Sequence, residues 1–145
     1  MNPRSIRQLG AALVLVALAA AGCVPAPAPV AAGAPGGPAY VRMLHADETA
    51  LWLGQNYQGL VLDVRNPDEW DDALGHIDSA RPIPLGELEA RLPEIAAFRD
   101  KPVLVYCKDG TRAPAAAQVL VRNGFTDVSW LDGGLAAYRR YQAGP

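Results

Sequence analysis

The chain has 145 residues, half of them hydrophobic and 19% charged, with thirteen prolines, two cysteines and a formal net charge of −2. That length suits one domain and excludes a large multidomain enzyme, and so even a charge balance excludes a binder driven by neutralising nucleic-acid phosphates, which needs an excess of Lys and Arg. Two cysteines make neither a disulfide scaffold nor a four-ligand zinc site of the usual kind. The averages conceal uneven segments. Residues 1–39 hold two arginines, no acid and no aromatic, whereas residues 40–145 hold all ten aromatics, eleven Lys plus Arg and fifteen Asp plus Glu.

Arg4 and Arg7 precede an uncharged apolar run from Leu9 to Ala21, followed by Gly22 and Cys23. This is the charged start, short apolar stretch and small-residue site of a secretory signal over residues 1–22, and the run falls short of the roughly 20 residues of a bilayer span. Ser5 and Ile6 separate the arginines, so there is no twin-arginine signal and export of an unfolded chain is expected. Residues 24–39 use only Val, Pro, Ala and Gly. Such a segment has nothing with which to build a core, and its alternating prolines favour extended polyproline geometry, so residues 23–39 read as a tether.

From Tyr40 the pattern is one of short β-branched runs alternating with amphipathic stretches. Tyr40–Leu44 is predicted as a strand, Asp47–Gln55 as a helix with His45 near its start, and Leu60–Val64 as a strand covered on both faces. An extended piece around Ala80–Ile83 leads through Pro84 to a helical segment, Leu85–Leu92, that is predicted to stop at Pro93, with another turn or two over Glu94–Phe98. Val103–Tyr106 is the second strongly apolar strand and ends on Cys107. Arg112–Arg122 reads as a helix stopped by Asn123 and Gly124, Asp127–Leu131 as a strand and Leu135–Tyr141 as a final short helix. Alternating strands and helices imply an α/β fold with helices on both faces of a mainly parallel sheet, whose ligands sit at the carboxyl ends of strands. Cys107 lies at one of those ends.

The run Tyr106-Cys107-Lys108-Asp109-Gly110-Thr111-Arg112-Ala113 sets a thiol at a strand end, then a short loop, then a helix amino terminus. Inward-pointing loop amides and the helix dipole both favour an anionic sulfur, as do Lys108 and Arg112 if they face it. Asp109 opposes this if it points inward and is expected to face solvent instead.

Cys107-x-x-Gly110-x-Arg112 resembles the active-site loop of rhodanese-like sulfurtransferases. So do Asp63-Val64-Arg65 with Glu69 and Trp70, Gly75-His76-Ile77 with Ile83-Pro84, and Leu131-Asp132-Gly133-Gly134, in the family's order. Ala113 and Tyr138 stand where the family often has Ser and Trp. The resemblance spans nearly all of residues 40–145 and implies a three-layer sandwich around a five-stranded sheet. It implies a sulfur ping-pong in which Cys107 takes the outer sulfur of a donor such as thiosulfate, holds it as a persulfide and yields it to cyanide or a thiol. No metal or organic cofactor is implied.

On this reading Lys108, Asp109, Gly110, Thr111 and Arg112 form the substrate- or anion-binding loop, with Lys108 and Arg112 as candidates to attract anionic donors. Asp63, Arg65, Glu69 and His76 support it, through an Arg65–Glu69 ion pair and structural hydrogen bonding by His76. Trp52, Trp70 and Trp130 read as packing. Related cell-cycle phosphatases and arsenate reductases have a loop one residue longer, and the shorter loop from Lys108 to Thr111 suits a sulfane sulfur better than a tetrahedral oxyanion. A persulfide carrier or docking module without turnover is the stronger alternative, ahead of a phosphatase or arsenate reductase.

Ala20-Ala21-Gly22-Cys23 resembles the lipobox of bacterial lipoproteins, with Ala20 where that family prefers Leu. The resemblance implies a lipidated Cys23 and a domain held to a membrane of the cell envelope, in the periplasm or outside the cell. An ordinary signal peptide cut elsewhere and an uncleaved anchor are the alternatives. Val24 stands where an Asp would resemble an inner-membrane retention signal, which favours the outer membrane.

Overall fold

The computed structural model describes residues 39–56 and 58–145. The signal segment 1–22, Cys23 and all of the tether but Ala39 lie outside the described residues. Five strands, β1 (Tyr40–Leu44), β2 (Leu60–Asp63), β3 (Arg81–Pro82), β4 (Pro102–Tyr106) and β5 (Asp127–Leu131), form one sheet in the order β1-β5-β4-β2-β3. Every neighbouring pair is parallel. A parallel sheet needs a crossover between strands. Helices α1 (Ala46–Gln55), α2 (Leu88–Arg91) and α3 (Ala113–Arg122) lie within these connections, and α4 (Gly134–Ala143) follows β5.

The core has two halves, one on each face of the sheet. Val103 and Val105 of β4 point into a cluster with Leu88, Ile95, Leu120 and Phe125. Leu104 and Tyr106 point the other way, among Trp52, Leu131, Leu135 and Tyr138. This period-2 split within one apolar run is what a strand covered on both faces produces, and it makes the three-layer sandwich expected from the sequence. It also fixes the site: Asp63 and Tyr106 end neighbouring strands, so Arg65 and Cys107 emerge side by side at one end of the sheet.

The segment around Pro93 differs from expectation. Leu85–Glu87 is a 3₁₀ turn, α2 is a single turn, and a second 3₁₀ stretch, Leu92–Phe98, runs through Pro93. A proline in the first turn of a helix lacks only an amide that would have no partner there. Pro93 therefore starts the next turn where it was expected to end the run. At α1, the His45 amide donates to Glu48 Oε2 at 2.8 Å, and His45 Nδ1 lies 3.3 Å from Asp132 Oδ2, a partner the sequence did not suggest. Among the described residues no helix is long and apolar enough to cross a membrane.

Candidate active site

Cys107 is buried and free, one residue beyond β4. The loop after it closes on its own sulfur: the Arg112 amide, at the start of α3, donates to Cys107 Sγ at 3.4 Å. The first amides of α4 have no partners within their own helix. They hold the loop from behind, Leu135 N–H donating to the Cys107 carbonyl at 2.8 Å and Ala136 N–H to the Lys108 carbonyl at 3.0 Å. A trans peptide sets N–H opposite C=O, so the amides of Lys108 and Asp109 turn away from α4.

Two glycines make this contact possible. Gly134 has φ +59, and a Cβ there would lie 2.6 Å from Cys107 O, Asp109 N and Gly110 N; Gly110 has φ +88, and its Cβ would lie 2.7 Å from Gly133 N. Both positions need a left-handed backbone and no side chain. Sequence reasoning named Gly110 as part of the loop but gave Gly134 no role in the site. The adjacent glycines at 133 and 134 were the available signal.

The charged residues pair differently from expectation. Asp63 and Arg65 are each about 1% exposed at the side chain. Arg65 donates through Nε and Nη2 to Asp63 Oδ2 at 2.9 and 2.7 Å, and through Nη1 and Nη2 to the carbonyls of Glu69 and Gly75 at 2.6 and 2.8 Å. Burial works against the Arg65 charge, but the hydrogen bonds and field of Asp63 outweigh it and raise its pKa. The expected Arg65–Glu69 ion pair is therefore not formed. Arg65 turns inward to the buried carboxylate two residues before it and meets only the main chain of Glu69.

The Glu69 carboxylate instead accepts both guanidinium arms of Arg112, at 2.6 and 2.8 Å. These bonds pull its pKa down to about 2 against the opposing effect of burial. Lys108 Nζ lies 3.0 Å from Asp72 Oδ2, and Asp72 is held below the usual carboxylate range, first by Lys108. The two cations expected to attract anionic donors are thus each matched by an acid.

Asp109 is exposed but does not simply face solvent. Its Oδ1 accepts from the Thr111 amide at 3.1 Å, from the Thr111 hydroxyl at 2.7 Å and from the Cys107 thiol, with Sγ at 3.8 Å. An aspartate that bonds the amide two residues ahead must fold its carboxylate back over the loop. The Thr111 hydrogen bonds hold its pKa below the usual range. His76 also departs from expectation. Its ring stacks on Trp70 with centroids 4.1 Å apart, Nδ1 is buried without a hydrogen-bond partner, and the residue's hydrogen bond is made by its carbonyl, which accepts from Arg139 at 2.6 Å.

Asp72 and Tyr106 escaped sequence reasoning as members of the site. The Tyr106 hydroxyl accepts from the Ile77 amide at 3.2 Å, and burial raises its pKa. Among the described residues no group of three or more His, Cys, Asp or Glu side chains converges to hold a metal ion. What remains is one buried sulfur with one main-chain donor, the Arg112 amide, which favours an anionic sulfur, and one carboxylate acceptor, Asp109, which opposes it.

Comparison with known proteins agrees with this geometry. The family model for the rhodanese-like domain matches residues 45–141. YqhL, an uncharacterized protein of Bacillus subtilis, is 46% identical over 74 residues, covering 51% of this chain and 56% of its own length. The chain thus spans about half the length of that relative. A Rhodopseudomonas palustris structure, described as a possible tyrosine phosphatase of unknown function, superposes with a TM-score of 0.63 at 26% identity, covering 72% of this chain and 83% of that one. The thiosulfate sulfurtransferase of Pseudomonas aeruginosa superposes with a TM-score of 0.57 at 32% identity, covering 69% of this chain and 19% of that one. On the family match, the order of its segments and the fold, this chain belongs to the rhodanese-like domain family.

Proposed function

We propose that the protein is a sulfurtransferase that moves sulfane sulfur from a donor such as thiosulfate to a thiol or cyanide through a persulfide on Cys107. The observation that carries this reading is the Arg112 amide 3.4 Å from a buried Sγ, in a loop with four residues between Cys107 and Arg112. The Cys107 thiolate attacks the outer sulfur of thiosulfate; the new S–S bond forms as the old one breaks, and its electron pair leaves with sulfite. Cyanide or a thiolate then attacks the outer sulfur of the persulfide and returns the Cys107 thiolate. The Arg112 amide that reaches Sγ would also stabilise the anionic persulfide.

The purified protein given thiosulfate and cyanide is expected to make thiocyanate, and Cys107→Ser is expected to make none. Loading without turnover would favour a persulfide carrier. The likeness to a structure described as a possible tyrosine phosphatase keeps a third outcome open. Hydrolysis of an aryl phosphate that depends on Cys107 would overturn the sulfur-transfer reading.

The proposal extends to location. The segment ending Ala20-Ala21-Gly22-Cys23, with the Pro/Ala/Gly tether after it, supports a domain held to the bacterial envelope by lipid on Cys23. Cys23→Ala is expected to release the protein from the membrane fraction, and unchanged partitioning would overturn lipidation there.

A further inference from the structure

We infer that Asp109 sets donor specificity, selecting against dianionic donors and for a thiol persulfide whose body carries no negative charge. The inference rests on the sulfur-transfer reading and names the substrate class for the same cysteine. Arg112 is held bidentate by Glu69, Lys108 lies against Asp72, and Arg65 is bound to Asp63 beneath them. Three cations therefore meet four carboxylates around the loop, and among the described residues Asp109 is the one of the four without a side-chain ion pair. Its hydrogen-bond partners are all uncharged, the Thr111 amide and hydroxyl and the Cys107 thiol, which donates to Oδ1 with Sγ 3.8 Å away.

Thiosulfate must bring its outer sulfur to Sγ with a sulfonate directly behind it, so a dianion enters beside a fixed negative charge, and the loop has no unmatched cation to offset it. A persulfide RSSH brings no such group. The Cys107 thiolate attacks its terminal sulfur, the new S–S bond forms, the old one breaks, and the electron pair leaves on RS⁻ while the proton stays on the Cys107 persulfide until solvent takes it. The step needs no outside oxidant or reductant.

Room for such a body lies at the same end of the sheet. A cavity of about 310 Å³ opens beyond β2 and β3, lined by Pro67, Trp70, Pro82 and Pro84 together with Arg65 and Asn66, and the Cys107 loop is not part of its lining. At its rim Glu87 and Arg91 are ion-paired at 3.1 Å. The cavity is thus largely apolar with a charge-balanced rim, and Trp70 follows the Glu69 that holds Arg112. An uncharged thiol body extending from Sγ past Trp70 would meet mostly apolar surface there.

The test measures the rate at which the full chain gains sulfur from thiosulfate, from the persulfide of 2-mercaptoethanol and from that of cysteamine, whose body is cationic. Asp109→Asn keeps the carbonyl acceptor for Thr111 and removes the charge. It is expected to raise the thiosulfate rate relative to the mercaptoethanol persulfide about tenfold, and to lower the cysteamine persulfide relative to the same reference. Asp109→Ser, which keeps a smaller acceptor, is expected to move both ratios the same way and serves if the first variant folds poorly. Ratios unchanged within about twofold in the folded variants would overturn the role of Asp109 while sulfur loading itself stood. Failure of every donor to load the wild type would overturn the sulfur-transfer reading, and this inference with it.

Discussion

Asp63 with Arg65 and Glu69 with Arg112 are the same chemical pair in two settings. The first is about 1% exposed on both side chains, and the arginine has two further carbonyl partners, so its charge is fully committed below the loop. The second is 16% and 27% exposed and ties the 3₁₀ turn at Pro67–Glu69 to the start of α3. A buried pair is weak as a net source of stability, yet breaking it leaves a charge with nowhere to go. A half-exposed pair can be lost at smaller cost to the fold. The contrast separates what holds the site up from what aims it.

The comparison is broken most severely at its buried end. Asp63→Ala is expected to lower unfolding free energy by about 3–5 kcal/mol, because it strands the Arg65 guanidinium, as measured by urea denaturation. Gly134→Ala tests the uncharged clamp behind the cysteine loop. Its left-handed backbone and contacts of 2.6 Å to three loop atoms predict a loss of roughly 2–4 kcal/mol. It should also slow sulfur loading, because the loop must shift.

Glu69→Gln acts at the half-exposed end, with an expected cost of about 1–2 kcal/mol and about tenfold slower sulfur transfer as Arg112 loosens. Its pH dependence sharpens the contrast. The Glu69 pKa is lowered from 4.5 to about 2 by Arg112, so the native state favours the ionised form. That contribution is complete above pH 4.5 and is lost as pH falls toward 2. The stability gap between wild type and Glu69→Gln is expected to close over that window, and a gap that persists at the acid end would contradict the assignment. Arg91→Ala, which removes exposed pairs with Glu87 and Glu94, is expected to leave the denaturation midpoint unchanged.

Much of the frame could be read from the residues. β4 and β5 fall within a residue of their predicted bounds, because their apolar runs are short, β-branched and bounded by polar or turn residues. The cysteine loop was legible for the same reason: a strand, a thiol, a glycine and a helix start follow one another without a gap.

Pairing was not legible. Asp68, Glu69, Asp71 and Asp72 crowd one short stretch opposite Arg65, Lys108 and Arg112, and sequence spacing favoured the local Arg65–Glu69 pair over the longer-range contacts that the tertiary fold makes. Asp109 is exposed as expected, but its bonds back to the loop were not legible, because its direction depends on the Thr111 amide and hydroxyl two residues on. Pro93 was read as a stop because helix-breaking and helix-starting prolines look alike until the turn that follows is known.

The central claim is that Cys107 carries the transferred sulfur. Intact mass of the protein after thiosulfate or an organic persulfide, followed by peptide mapping, tests it most directly. The account predicts a gain of one sulfur atom, about 32 Da, on Cys107, removed by cyanide; no gain with any sulfane donor, or a gain elsewhere in the chain, would contradict it.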